Sequence, residues 1–168
     1  MVIRFAKPKD LENIAALYVH NHNTTYRGLL SDAYLDALTA ASALAKWEQK
    51  MDSKDACLLV AEQSGIFLGF AAVMPDPDLE QTLYLESLHV IESARGKGVG
   101  TALIRACAQI AEKNGFLKMS VCIVQGNNLA ANLYQRLGAA HHSFFEDDFC
   151  GTVSFSEKLV WSKLPTKK

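Results

Sequence analysis

The sequence predicts an α/β (α+β) fold, a single mixed and mainly antiparallel central sheet of about six to seven strands flanked by helices. Three observations predict it. Apolar runs rich in β-branched and aromatic residues recur along the chain. Segments with apolar residues at helical spacing stand between them, and one pair of runs is joined by a turn short enough for a hairpin.

Taken in order, "VIRFA" reads as a first strand, and Lys7 to Asp10, with Pro8, as a turn and helix start. Leu11, Ile14, Ala15, Leu17 and Tyr18 then recur at helical spacing, giving a helix to about Asn21. "NHNTTYRGLL" reads as a polar loop, Ser31 with Asp32 as the cap of a short helix through Leu38, and Ala43 to Met51 as a further helix. "ACLLVAE" and "IFLGFAAVM" are strands joined by "QSG", and the two prolines of "PDPD" end that ladder. "TLYLESLHV" is the next strand. Val99, Ala102, Leu103, Ala106 and Ile110 make an apolar helical stripe that Asn114-Gly115 closes. "LKMSVCIV" is a strand, and Asn127 opens a helix ending at Leu137-Gly138. Two last strands, near Ala140 to Phe145 and Thr152 to Trp161, flank the acidic turn "EDDFCG".

With 168 residues and neither repeat nor linker, one domain spanning 1–168 is expected. A hydrophobic content of 49% supports a packed core and excludes a disordered chain. The net charge of -1 argues against a general nucleic-acid binder. No apolar run of about 18 residues is present to span a membrane, and no signal-peptide pattern follows Met1. A cytoplasmic protein is therefore expected. Cys57, Cys107, Cys122 and Cys150 form no CxxC pair, and all but Cys150 sit in apolar-periodic segments, so they are read as reduced.

The chemistry is concentrated in "ARGKGVGT", where glycines and basic residues lie between a strand and a helix. The P-loop order GxxxxGK[ST] is absent, and the dinucleotide fingerprint GxGxxG fails because Thr101 stands where its third glycine belongs. Arg95-x-x-Gly98-x-Gly100 fits a third scheme for an anion at a helix start. Glycines let backbone amides approach the anion, and the amides opening a helix are unpaired donors. Arg95 and Lys97 add charge beside a diphosphate. An ordinary glycine turn explains one of the glycines at Gly96, Gly98 and Gly100 better than it explains all three.

This motif resembles that of the GNAT superfamily of acyl-CoA-dependent N-acetyltransferases, where it holds the coenzyme A pyrophosphate. "NNLAANLYQRLGA" resembles the family's N-x-x-A-x-x-L-Y-x-x-x-G signature, supplied by Asn127, Ala130, Leu133, Tyr134 and Gly138. The likeness covers nearly the whole chain and is most specific from about residue 83 to 138. "TYRGLLSDAYLDAL" further resembles a group of largely uncharacterised bacterial members. Glu92, Ala94 and Ala139 depart from the usual proline, bulky residue and phenylalanine, which touches local packing and no phosphate-binding amide.

The resemblance implies acetyl-CoA as co-substrate and an amine-bearing acceptor, small molecule or peptide; net charge, hydropathy and histidine spacing argue against nucleic acid, membrane and metal. The resemblance also makes a homodimer common. The amides of Gly96, Lys97, Gly98, Val99, Gly100 and Thr101 would hold the diphosphate. The strand carrying Leu88 and Val90 would lend its backbone to the pantetheine arm, with the Val90 amide facing the thioester oxygen. Tyr134 would be the general acid, since a phenol stays protonated where a thiol does not; its alternative is core packing with Leu133 and Leu137. Asn127 is a helix N-cap, a pantetheine contact, or both.

Strict alternation puts Glu86 on one strand face with Tyr84, Leu88 and Val90, and His89 on the other. Family members often use a glutamate on this strand as base, and the alternative for Glu86 is a carboxylate that orients the substrate. His20 with His22, and His141 with His142, lack zinc-site spacing. Tyr26 and Arg27 fall in the loop that lines the acceptor groove in the family. Glu146, Asp147 and Asp148, with Asp76, Asp78 and Glu80, would give that groove an acidic rim suited to a cationic amine. The reading from another class is a non-catalytic acyl-CoA-binding module, which need keep neither Glu86 nor Tyr134.

Overall fold

The computed structural model describes residues 1–149 and 151–166; Cys150 lies outside the described residues. Strands β1 (Val2–Phe5), β2 (Cys57–Gln63), β3 (Ile66–Pro75), β4 (Thr82–Val90), β5 (Lys118–Val124), β6 (Ala140–Phe149) and β7 (Thr152–Trp161) form one seven-stranded sheet. Their order is β1-β2-β3-β4-β5-β7-β6. The β4–β5 pair is parallel and the others are antiparallel, so the fold is the mixed, mainly antiparallel one expected.

Helices α1 (Leu11–Thr25), α2 (Asp32–Ala37), α3 (Ala40–Asp52), α4 (Val99–Lys113) and α5 (Asn128–Arg136) are divided between the two faces. Period-two alternation makes that division. Leu58, Val60, Phe70 and Ala72 point to α1 and α3, where Ile14, Tyr18 and Trp47 meet them. Leu59, Ala61, Ala71 and Val73 point to the other face, where Leu103, Ile104 and Cys107 of α4 cover them. Burying such side chains stabilises the fold by about 1.5–3 kcal/mol each. Because β4 and β5 are parallel, α4 must cross over between them, and its N-terminus comes to lie at the end of β4.

Several boundaries differ from the sequence reading. Helix α1 continues to Thr25 rather than ending near Asn21, so "HNTT" is helix and not loop. Its polar residues are served within the fold: Asn21 and His22 are buried, and Asn23 and Thr24 bond to the carbonyls of Val19 and His20. Helix α3 starts at Ala40 because Thr39 caps it, its hydroxyl accepting from the Ser42 amide at 3.1 Å. Strand β6 runs on to Phe149, which makes Glu146, Asp147 and Asp148 strand residues instead of turn residues.

Asp76 is not a solvated rim acid either. Its side chain is 0% exposed, takes a hydrogen bond from Ser120 and pairs with Lys158 at 3.1 Å. It also accepts from the amides of Asp78 and Leu79, which shapes the β3–β4 connection. Lys158 reaches Asp78 as well, so this buried ammonium ties β7 to that connection.

Candidate active site

Parallel pairing of β4 with β5 covers only Thr82 to Leu85 against Lys118 to Val121. Beyond Leu85 the strands part. Glu86 to Val90 have no partner on β5, while Cys122 to Val124 stay paired with β7. Two cavities of about 450 and 250 Å³ open at this fork.

The larger cavity ends at the glycine-rich segment. Gly98 is the N-cap of α4 with φ +83°, and Gly96 has φ +73°, both in the left-handed region where a side chain is strained. Gly100 sits close under α5: a Cβ there would come within 3.2 Å of the Leu133 side chain, which would have to give by a few tenths of an ångström. Arg95, Gly96, Gly98, Val99, Gly100 and Thr101 line this end, and Leu88 and Val90 of β4 form a wall. Asn127, Leu133 and Tyr134 come from the α5 side. Lys97 is exposed and is not among the lining residues. The Arg95 guanidinium donates to Asn21 Oδ1 at 2.9 Å and to the Val90 carbonyl at 3.3 Å, which fixes the loop against α1 and β4.

The smaller cavity lies on the other side of β4, and a bulge explains how. Ser87 pairs with Ala72 and Leu85 with Val73, leaving Glu86 as an extra residue. A bulge resets alternation. Leu88 and Val90 pack toward the α4 core, whereas Glu86 meets Lys50 at 3.0 Å and Lys46 at 3.7 Å on the α3 side. Glu86 does not share a face with Leu88 and Val90, and His89 is not opposite it: His89 stacks on Phe70 in the α1–α3 layer, on the same side as Glu86.

Both cavities are bordered by Tyr26, Leu88, His89, Asn127, Ala130 and Tyr134. Tyr134 is buried, edge-on to Trp161, and burial pushes its phenol above the ordinary range, so it carries its proton at neutral pH. Asn127 caps α5, accepting from the Ala130 amide at 3.3 Å. Tyr26 is the C-cap of α1; burial raises its phenol, and a hydrogen bond with Asn127 works against that. Arg27 lines neither cavity. It is exposed and pairs with Asp32 at 2.9 Å and Asp36 at 3.0 Å, joining α1 to α2.

Sequence reasoning missed Asn21, His22 and Lys46. Asn21 lines the larger cavity, and His22 and Lys46 the smaller. The signal for the first two was present: Tyr18, Asn21, His22 and Thr25 continue an i, i+3, i+4, i+7 helical spacing, but in polar letters. Asp147 reaches the smaller cavity from β6, and Asp76 and Glu80 reach neither.

A fork in the sheet, a glycine-lined helix start at its end and a tyrosine between its two chambers form one arrangement. Residues 23–139 match the model of the Acetyltransferase (GNAT) family. The chain belongs to that family. Membership makes this GNAT chain an acetyl-CoA-dependent N-acetyltransferase. It is 28% identical over 130 residues to the uncharacterized N-acetyltransferase YuaI of Bacillus subtilis, covering 76% of this chain and 73% of that protein. It is 29% identical over 141 residues to YhfO of the same organism, covering 82% and 89%. The yncA structure from Salmonella typhimurium with its cofactor acetyl-CoA superposes with a TM-score of 0.73 at 22% identity, over 96% of this chain and 92% of that one.

Proposed function

We propose that this chain, acting as one domain over residues 1–168, transfers the acetyl group of acetyl-CoA to the primary amine of a small molecule or peptide, by direct attack in a ternary complex. The observation that carries this reading is the meeting of the two cavities at Tyr134 beside the unpaired edge of β4. The larger cavity, running from Leu88 and Val90 to the glycine loop, would take the acetyl-pantetheine arm and diphosphate of the donor, and the smaller the amine. The acetyl-CoA-bound yncA structure supports the donor assignment, and the glycines support it on steric grounds.

In this reading the amides of Gly96 to Thr101 receive the diphosphate at the positive end of α4. Leu88 and Val90 present backbone to the pantetheine arm, and the Val90 amide faces the thioester oxygen, where one such donor is worth about 2.7–4 kcal/mol of barrier. Asn127 borders the same arm. Tyr134 gives its proton to the departing thiolate. Tyr26 and Glu86 border the amine; Glu86, held by Lys46 and Lys50, orients it rather than taking its proton. The chemistry calls for no metal ion, nucleic acid or membrane, and it suits a cytoplasmic enzyme.

Two measurements test the reading. Acetyl-CoA raises the melting temperature by mass action on the folded state, and thiol release appears with at least one amine in a panel of alkylamines, polyamines, amino acids, aminoglycosides and peptides. Absence of any melting shift at millimolar acetyl-CoA sinks the donor assignment. A shift without turnover on any amine replaces the transferase by a binding module.

A further inference from the structure

We infer that His22 receives the N–H of the attacking amine, through a ring nitrogen whose lone pair the fold leaves open to the smaller cavity. The inference rests on the transferase reading above and adds to it the group that takes the amine proton.

Hydrogen-bond chemistry fixes which nitrogen is available. His22 Nδ1 lies 2.9 Å from the Tyr18 carbonyl. A carbonyl only accepts, so the neutral ring carries its hydrogen on Nδ1 and its lone pair on Nε2. Nε2 has no hydrogen-bond partner among the described residues, and His22 lines the smaller cavity. Burial lowers the His22 pKa to about 4, against a weaker opposing effect of the Tyr18 carbonyl, so the ring is neutral at pH 7.

The neighbouring histidine is set the other way. Arg95 only donates, and its contact with Asn21 Oδ1 turns the Asn21 amide nitrogen toward His89 Nδ1 at 3.3 Å and the Val90 carbonyl at 3.4 Å. His89 Nδ1 is therefore an acceptor, and the ring proton sits on Nε2. The two rings, 5.5 Å apart between centroids, thus present one lone pair and one N–H. Of the pair, only His22 can accept from an amine. Asn21 is a positioning residue, since it sets the tautomer of His89 from the glycine loop.

The cavity's carboxylates are poorer candidates. Glu86 is already engaged as a counter-ion, with Oε2 3.0 Å from Lys50 Nζ and Oε1 3.7 Å from Lys46 Nζ. Asp147 stands on the edge strand β6, whereas His22 adjoins His89, which borders both cavities. The charged and titratable groups around His22 are Tyr18 and Tyr26 of its own helix, Lys46 of α3 and His89 of β4.

The step balances. The amine enters neutral, its ammonium proton left in water, and its lone pair attacks the thioester carbonyl carbon. As the C–N bond forms the nitrogen turns acidic and passes one proton to His22 Nε2. The C–S bond breaks with its electron pair going to sulfur, and sulfur takes the Tyr134 proton. His22 releases its proton to water, and water restores the proton of Tyr134. An amine and a thioester give an amide and a thiol.

Long-range 1H–15N spectra of the full chain at pH 7 test the tautomers without any acceptor. The expected result is hydrogen on Nδ1 of His22 and on Nε2 of His89; hydrogen on Nε2 of His22, or an imidazolium, overturns the inference. Thiol release is then measured with n-butylamine, 2-phenylethylamine, spermidine and a short peptide at saturating acetyl-CoA. His22→Phe lowers kcat by about 10²-fold with the acetyl-CoA melting shift retained, and added imidazole restores part of the rate to His22→Ala. Equal turnover of His22→Phe and the unaltered chain overturns the assignment, as does a larger loss for Glu86→Gln than for His22→Phe. An unaltered chain inert toward every amine removes the transferase reading, and the role of His22 falls with it.

Discussion

Gly69 on β3 lies so close to His89 on β4 that a Cβ at Gly69 would sit 2.4 Å from the His89 carbonyl oxygen. The same Cβ would be 3.0 Å from the Cα of Val90, which is its partner across the ladder. The stretch of β4 that borders both cavities is thus held in place by the absence of a side chain. Gly69→Ala has to push that backbone outward, at a cost of about 1–3 kcal/mol for overpacking. Urea titration should show this loss, and the acetyl-CoA melting shift should shrink with it. A variant as stable and as responsive as the parent would mean that β4 yields freely.

The glycine loop predicts a different pattern. Gly98→Ala forces a side chain into a left-handed conformation at about 1–2 kcal/mol. Gly98→Glu adds a negative charge at the proposed diphosphate seat. The second variant should therefore lose far more of the acetyl-CoA melting shift than its stability loss explains. If the two lose it equally, the loop does not contact the diphosphate.

Tyr134→Phe keeps the packing on Trp161 and removes only the hydroxyl. Turnover should fall by about 10²-fold or more while the acetyl-CoA melting shift stays unchanged. Undiminished thiol release would take Tyr134 out of the chemistry and leave it as a core residue.

Acid should destabilise the protein earlier than carboxylates alone require. His22 and His89 have pKa values lowered from 6.5 to about 4 and about 3, mainly by burial. A lowered folded pKa on a base means that the unfolded chain binds protons first. Stability is therefore full above pH 6.5 and declines as pH falls toward 4, by about 1.4 kcal/mol per pH unit for each histidine. Urea midpoints from pH 7 to 4 measure the slope, and His89→Phe should flatten it.

Asp76 and Lys158 extend the pH dependence at both ends. Burial alone would raise Asp76, but the bonds from Ser120, the Asp78 amide and Lys158 outweigh it and hold its pKa low. Its contribution is present above the ordinary aspartate range and is lost as pH falls through the folded value. Lys158 is raised overall, its two aspartates overcoming burial, so its contribution is lost as pH rises through the folded value. Lys158→Met leaves Asp76 buried without its cation and should cost about 3–5 kcal/mol in urea unfolding.

Much of this was legible in the letters. Two glycine-containing signatures, each after a strand and at a helix start, located Gly98, Asn127 and Tyr134, because backbone conformation and capping are local properties. What escaped was non-local. Alternation misplaces Glu86 because nothing in "LESLH" announces that β3 is one residue short opposite it. The helix at His22 is hidden because its spacing is carried by polar residues whose partners, the Tyr18 carbonyl and the His89 layer, appear only after folding. Arg27 and Asp76 resemble groove residues in the sequence because a charged letter does not reveal its counter-ion.

The parting of β4 from β5 after Leu85 and Val121 makes this a zipper closed along half its length. The backbone edge that a neighbouring strand would ordinarily cover is left for a guest molecule to cover instead. In the proposed complex the donor would act as a rung of the sheet. There the amides of Leu88 and Val90, which point away from β3, should exchange hydrogen slowly only while the donor is present, so the rigidity of this edge would rise and fall with the cell's supply of activated acetate.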